Sequence, residues 1–158
     1  MSGLLNGIRV LDFGRYIAGP YCATLLADLG ADVIRIEKPD GGEDRYTVPI
    51  SDQGEGAYYI QLGRNKRAMT LNPRSEQGQK IIQQLVATAD VVVANLPAQA
   101  LVKLGLDYAN LCKAKSDIIL TTGSAFGAPN CIRLSYAASE EELVEALKRI
   151  KEALLKLS

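Results

Sequence analysis

Short runs of branched apolar residues recur along the chain, separated by stretches in which polar residues return every few positions. Four such runs are IRVLDF (8–13), DVIRIE (32–37), DVVVAN (90–95) and DIILTT (117–122). Runs of this length, bounded by polar or turn-forming residues, are typical of strands buried inside a sheet. The pattern therefore predicts four buried strands.

Helical patterns lie between the predicted strands. The segment 20–30 has Pro20 in its first turn and ends at Gly30, which is the usual asymmetry of a helix start and stop. The segment 75–89 has Ser75 as a candidate N-cap and places four apolar residues on one face: Ile81, Ile82, Leu85 and Val86. Alternating strands and helices predict an α/β fold with a parallel sheet and helices on both faces.

Two further segments complete the predicted organisation. Residues 39–71 contain five glycines and no clean helical period, so we expect a loop with a short extended piece near RAMTL. Residues 131–137 (CIRLSYA) form a fifth strand candidate. Only about eight residues separate it from the predicted strand 117–122, which is too few for a parallel crossover. We therefore expect residues 131–137 to pair antiparallel beside residues 117–122.

The last segment has the best-defined helical pattern in the sequence. Ser139 and Glu142 form a capping box, and an apolar stripe follows at helical spacing: Leu143, Leu147, Ile150, Leu154 and Leu157. We expect this helix to cross the sheet and to be essential for folding, so that truncation after Gly127 would prevent cooperative folding.

Composition limits the classes of function. The chain has 158 residues, 47% of them hydrophobic, which predicts a single α/β domain over 1–158 with one core. Lysine plus arginine balance aspartate plus glutamate, so no overall electrostatic field favours binding to nucleic acid or to an anionic membrane.

The start of the sequence lacks a signal-peptide pattern, and three widely spaced cysteines suit a reducing compartment, so we expect a soluble, cytoplasmic protein. Histidine is absent, which excludes Ser-His and Cys-His mechanisms within the chain and removes the commonest metal ligand. No CxxC pair suggests zinc either, so we expect no metal.

Residues 5–127 resemble the N-terminal part of the family III CoA-transferases. The resemblance rests on four blocks in the family's order: residues 7–45 (GIRVLDFGRYIAGP through GGEDR), LGRNKRAMTLN, ADVVVANLPAQALVKLGLDYANL and DIILTTGSAFG. It implies a three-layer, Rossmann-like, mostly parallel sheet for 1–122, to which residues 123–158 would add the antiparallel strand and packing helix. It also implies weak, residual binding of coenzyme A at the matching positions Ile17, Ala18, Gly19, Lys38, Asn72, Pro73, Arg74, Asn95, Leu96 and Lys103.

Physical chemistry supports part of this implied site. Gly19 allows close backbone approach, and a helix that starts near Pro20 favours anions. Six basic residues are candidates to meet the phosphates of CoA: Lys38, Arg64, Lys66, Arg67, Arg74 and Lys103.

The sequence departs from the family in two ways. Leu96 and Pro97 stand where the family has an aromatic residue and often an arginine or glycine, which weakens the expected contacts to adenine or ribose. The family's aspartate nucleophile lies in a segment well downstream of the AFG block, and we find no counterpart to that segment in the sequence. The aspartates at predicted strand and helix boundaries are expected to be structural: Asp12, Asp28, Asp32, Asp90 and Asp117.

Residues 123–157 resemble a different family, the C-terminal end of a fold type I, PLP-dependent aminotransferase. In that resemblance GSAFG leads into a strand and a last helix, and Arg133 matches the arginine that grips the substrate α-carboxylate. The lysine that would hold PLP has no counterpart, so we expect no PLP. A junction between the two resemblances would fall within residues 120–127.

Three functions follow from these observations. The leading prediction is an engineered or chimeric α/β protein without turnover, with CoA as its one candidate partner. The first alternative is a minimal CoA-transferase, in which another carboxylate replaces the nucleophile and CoA moves between carboxylic acids. The second is a dinucleotide-binding module, which is weaker because DFGRYIAGP lacks the GxGxxG spacing. The oligomeric state is left open.

Overall fold

The computed structural model describes residues 3–122, in which a five-stranded sheet forms the central layer. All neighbouring strands are parallel, in the order β3-β2-β1-β4-β5, which confirms the predicted α/β class. The elements in chain order are β1 (Arg9–Asp12), α1 (Ala18–Asp28), β2 (Asp32–Glu37), a 3-10 helix (Glu43–Tyr46), α2 (Ala57–Leu62), β3 (Lys66–Thr70), α3 (Glu76–Val86), β4 (Val91–Ala94), α4 (Ala98–Leu104), α5 (Tyr108–Ala114) and β5 (Ile119–Thr122).

Each face of the sheet has its own apolar core, because successive side chains of a strand point to opposite faces. On one face, Val10 and Val33 pack with two small residues of α1, Ala23 and Ala27. On the other face, the larger cluster joins the strands to α3 and α5 and includes Leu11, Ile34, Val92, Ile82, Val86 and Leu111. The helices therefore lie on both faces, as the alternating sequence pattern predicts.

The two predicted helices are present with small changes at their ends. Helix α1 starts at Ala18, two residues before Pro20, and ends at Asp28. Helix α3 has the predicted N-cap, since the Ser75 side chain accepts a hydrogen bond from the backbone N–H of Gly78 at 3.0 Å.

Four short helices were not predicted. Helix α2 and the 3-10 helix lie in the segment that we expected to be loop, although the extended piece near RAMTL is present as β3. Helices α4 and α5 follow β4 and have seven residues each. Elements of one or two turns repeat an apolar position too few times to produce a helical period, so sequence patterns detect them poorly.

The strand order creates a crevice at the carboxyl edge of the sheet. From β1 the chain moves outward to β2 and β3, and α3 then returns it to the other side of β1, where β4 begins. The loops after β1 and β4 therefore leave neighbouring strands in opposite directions. In open α/β sheets this point is where ligands bind.

The predicted antiparallel strand at 131–137, the helix from Ser139 and the single-domain organisation of 1–158 involve residues outside those described. Among residues 3–122, no helix is long and apolar enough to cross a membrane.

Candidate functional site

A cavity of about 860 Å³ lies at the carboxyl edge of the sheet, where the strand order reverses. The loops or helices that follow β1, β2, β3 and β4 all contribute to its wall. Its volume falls in the range of about 300–1,000 Å³ that is usual for small-molecule sites. The lining residues are Arg15, Lys38, Glu43, Asn72, Pro73, Arg74, Leu96, Pro97, Gln99, Ala100, Lys103 and Leu104.

Six of the ten positions predicted to contact CoA line this cavity: Lys38, Asn72, Pro73, Arg74, Leu96 and Lys103. These residues come from three separate segments of the sequence and are brought together by the fold. The basic side chains are spread around the wall, because Arg15 follows β1, Lys38 follows β2, Arg74 follows β3 and Lys103 lies in α4 after β4. The cavity therefore offers one cation after each of four parallel strands.

The other four predicted positions lie beside the cavity, at the start of α1 and the end of β4. Ile17 precedes α1 and is 49% exposed, and Ala18 opens the helix. A Cβ added to Gly19 would lie 2.6 Å from Oδ1 of Asn95, so only glycine allows this close approach. Among residues 3–122, no side chain caps α1 or accepts a hydrogen bond from the N–H groups of its first turn.

Asn95 joins the loop after β4 to the loop after β1. Its Oδ1 accepts a hydrogen bond from the Arg15 N–H at 2.6 Å, and its Nδ2 donates to the Arg15 carbonyl oxygen at 2.8 Å. The amide therefore positions the backbone of a residue that lines the cavity, and Asn95 acts on the site through Arg15.

Glu43 bridges two of the basic residues in the cavity wall. The Lys38 Nζ donates to Glu43 Oε1 at 2.7 Å, and the Arg15 Nε lies 3.7 Å from Glu43 Oε2. The hydrogen bond from Lys38 lowers the pKa of Glu43, and the same bond raises the pKa of Lys38. Both groups are therefore charged at neutral pH.

A buried cluster of charged residues holds the segment that carries Glu43. Arg35 is buried in β2, where its guanidinium donates to Glu37 Oε1 at 3.0 Å and to Asp44 Oδ2. Arg45 donates to Glu37 Oε2 at 2.6 Å and to the Tyr59 hydroxyl at 2.7 Å. Burial opposes ionisation of Glu37, but the hydrogen bond from Arg45 and the nearby Arg35 lower its pKa. The 3-10 helix is thus fixed to β2 by paired charges and to α2 by the hydrogen bond from Arg45 to Tyr59.

Three of the six basic candidates for phosphate contact were wrongly assigned. Lys66 is buried and donates to Asp12 Oδ2 at 2.8 Å and to the Pro20 carbonyl oxygen at 2.7 Å. Burial lowers the pKa of Lys66 against the opposing effect of Asp12. Arg64 pairs with Asp28 at the end of α1, and Arg67 pairs with Asp32 at the start of β2. These contacts join secondary-structure elements away from the cavity wall.

Four of the five aspartates at element boundaries make the structural contacts that we expected, and Asp117 is the exception. Asp12 accepts from the Gly14 N–H at 2.8 Å, and Asp90 accepts from the Arg9 N–H at 2.9 Å. Asp28 and Asp32 are paired with arginines, whereas Asp117 lies 3.9 Å from the Lys115 Nζ. Within residues 3–122, no three histidine, cysteine, aspartate or glutamate side chains cluster in a way that could hold a metal ion.

Arg15 and Glu43 are cavity residues that sequence reasoning missed. Arg15 lies between the predicted strand 8–13 and the predicted CoA positions 17–19, so its place just after a strand was an available signal. Glu43 lies in a segment without a periodic pattern, and its contact with Lys38 depends on the 3-10 helix. Arg133 lies outside the described residues.

A second cavity, of about 740 Å³, lies between α3 and α5. Its wall is built from helix side chains, including Lys80 and Lys113, and the loops after β1, β2 and β3 do not contribute to it. We therefore assign the candidate site to the cavity at the strand ends.

Comparisons with known proteins identify the family of the chain. The sequence profile of CoA-transferase family III matches residues 5–141. The chain is 38% identical over 130 residues to the succinate–glutarate CoA-transferase of Agrobacterium fabrum, covering 78% of this chain and 32% of that protein. It is 37% identical to the succinyl-CoA:mesaconate CoA-transferase of Haloarcula marismortui, covering 80% of this chain and 33% of that protein.

A solved structure shares the same fold. The crystal structure of a CAIB/BAIF family protein from Brucella suis matches with a TM-score of 0.72 and 37% identity, covering 77% of this chain and 33% of that chain. The chain thus spans about a third of the length of the curated relatives that it matches. From the profile match and these identities, the chain belongs to CoA-transferase family III.

Proposed function

We propose that this chain supplies the CoA-binding part of a CoA-transferase that moves CoA between carboxylic acids. The observation that carries the proposal is the convergence of Arg15, Lys38, Arg74 and Lys103 on one cavity at the reversal of strand order. CoA carries a pyrophosphate and a 3′-phosphate, and cations spread around a wall suit a ligand with several separated phosphates.

The apolar part of the wall supports the same ligand. Leu96, Pro97, Ala100 and Leu104 line the cavity beside the basic residues. They can cover the face of a purine ring by apolar contact, which compensates in part for the aromatic residue that the family has after Asn95. The departure at positions 96 and 97 would then lower the affinity without removing the adenine site.

Transfer of CoA also needs a carboxylate to receive the acyl group. Among the described residues, Glu43 is the one carboxylate in the cavity wall. Its pairing with Lys38 lowers its pKa and holds its oxygens in an ion pair, which disfavours nucleophilic attack. The described residues therefore support the proposal of CoA binding, and the alternative of a minimal transferase requires a carboxylate other than Glu43.

Calorimetric titration with CoA and with 3′-dephospho-CoA tests the binding proposal. We expect CoA to bind more tightly than 3′-dephospho-CoA, and the difference to decrease with added salt, because the cavity's contacts are ionic. Absence of CoA binding at low salt would refute the proposal. Incubation with succinyl-CoA and glutarate tests turnover. Acyl exchange together with a trapped adduct on a carboxylate of the chain supports the minimal transferase. Binding of CoA without exchange limits the function of the chain to CoA binding.

The engineered or chimeric origin remains a separate hypothesis with less support. The family III profile continues through residue 141, beyond the junction that we placed at 120–127 and into the segment that resembles an aminotransferase. This favours the transferase alternative over the chimera. The proposed role of Arg133 as a carboxylate binder depends on the chimera and stays a prediction.

A further inference from the structure

We propose that Glu43 lowers the affinity of the cavity for anionic ligands by acting as an internal competitor for the ligand's phosphate. The inference rests on the proposed function and goes beyond it, because it assigns a role to an acidic residue in a site for a polyanion. Glu43 bridges Lys38 and Arg15, with an Nζ–Oε1 distance of 2.7 Å and an Nε–Oε2 distance of 3.7 Å. Its carboxylate therefore occupies the place between two cations that an anionic ligand group would take.

The position of Glu43 is fixed by its neighbours in the chain. The Gly42 N–H donates to Glu37 Oε1 at 3.3 Å, and Asp44 accepts from the buried Arg35. A Cβ added to Gly42 would lie 3.2 Å from that same Glu37 oxygen, so the backbone packs closely against the buried cluster. The buried charged cluster thus fixes the backbone on both sides of Glu43. The Glu43 side chain is 44% exposed and lines the cavity.

This arrangement reduces the affinity that a ligand gains from a single phosphate. A ligand with one phosphate must displace Glu43 to gain Lys38 and Arg15, and in doing so it exchanges one ionic contact for another. A ligand with separated phosphates also gains Arg74 and Lys103, which line the same cavity. Glu43 therefore lowers the affinity of every anion that uses Lys38 and Arg15, and a polyanion still binds because its other phosphates contact cations that Glu43 does not occupy.

Substitution of Glu43 by glutamine removes the charge and keeps the size of the side chain. Because the Lys38–Glu43 pair is partly exposed, we expect Glu43→Gln to tighten binding of CoA and of inorganic pyrophosphate by about two- to fivefold at low ionic strength. The gain should diminish at high salt. Glu55→Gln is the matched control, since Glu55 does not line the cavity and forms no ion pair with any residue in 3–122. It should leave both affinities unchanged.

Calorimetry with the two ligands on the full chain separates the possible results. Tighter binding of both ligands by Glu43→Gln supports the inference. Unchanged or weaker binding of both overturns it, while CoA binding by the original chain still supports the proposed function. Tighter pyrophosphate binding without any CoA binding supports the role of Glu43 but refutes the proposed function. If neither ligand binds either protein, both proposals fail, and a thermal unfolding curve for each variant establishes that it is folded.

Discussion

The Asn95 side chain makes two hydrogen bonds to the backbone of Arg15, accepting from its N–H at 2.6 Å and donating to its carbonyl oxygen at 2.8 Å. These bonds connect the loops after β1 and β4, at the point where the strand order reverses. A single amide therefore fixes one wall of the candidate site to another.

Replacing Asn95 by alanine should loosen this connection. Loss of two part-buried hydrogen bonds is expected to lower the free energy of unfolding by about 1–3 kcal/mol, measured by urea denaturation. CoA affinity should also fall, because the Arg15 backbone would no longer be held at the cavity. Asn95→Asp keeps an acceptor for the Arg15 N–H but loses the donor, so its stability should lie between those of the original chain and Asn95→Ala. Equal stability of all three proteins would show that the connection has no energetic role.

The second prediction concerns the cations of the cavity. Lys38→Ala and Arg74→Ala together should weaken CoA binding by roughly 5- to 30-fold, because each partly exposed ionic contact contributes about 0.5–1 kcal/mol. Lys103 is kept because it lines both cavities. The dependence of affinity on salt should become less steep. Lys80→Ala with Lys113→Ala removes two basic residues beside the other cavity and should have little effect. If the two double variants bind CoA equally well, the ligand does not use the cavity at the strand ends.

The third prediction concerns the buried charge cluster. Asp44→Ala leaves the buried Arg35 without one of its partners, which should lower the free energy of unfolding by about 3–5 kcal/mol. Asp52→Ala is the control, since Asp52 lies exposed in a turn and should change stability by no more than about 0.5 kcal/mol. Denaturant titration of both variants measures the difference, and similar curves would contradict a structural role for the Asp44–Arg35 pair.

The fourth prediction is a dependence of stability on pH. Hydrogen bonds from Arg67, supported by Arg9, lower the pKa of Asp32 in the folded chain. As the pH falls below about 4, the unfolded chain takes up a proton at this position before the folded chain does, so this contribution to stability is lost. Asp32→Asn should therefore be less stable than the original chain at pH 7, by up to about 1 kcal/mol, and the two should converge at about pH 2. If the difference in stability between the two proteins stayed constant from pH 7 to pH 2, the ionisation of Asp32 would not be the source of the pH dependence.

The centre of the sheet could be predicted from the sequence because β1, β2 and β4 are buried on both faces, whereas the edge strand β3 has no buried residue and was expected only as a short extended piece. Residues 32–37 match β2 at both ends, and the other three predicted strands contain β1, β4 and β5 with one or two extra residues at their ends. Continuous branched apolar runs identify such strands without reference to their neighbours. The short helices α2, α4 and α5 were missed, because each buries only one residue among the helical positions and so has almost no periodic signal.

The candidate site could be predicted only in part, since proximity in the sequence does not determine which way a side chain points. Lys38, Arg74 and Lys103, which the resemblance assigns to CoA binding, line one cavity. Lys66 and Arg67 are also basic and adjacent, but their partners are Asp12 and Asp32. Glu43 could not be recognised, because its role depends on a 3-10 helix held by buried charges.

The central position of β1 has a consequence for how the chain folds during synthesis. Its Arg9 N–H bonds to the Asp90 carboxylate, 81 positions later in the chain, and β1 cannot complete its ladder until β4 exists. At a synthesis rate of about 5–20 residues per second, this second neighbour arrives roughly 4–16 seconds after β1. During that interval the apolar residues of β1 and β2 have no finished core, so a chaperone that shields exposed apolar segments would have its greatest effect before β4 emerges.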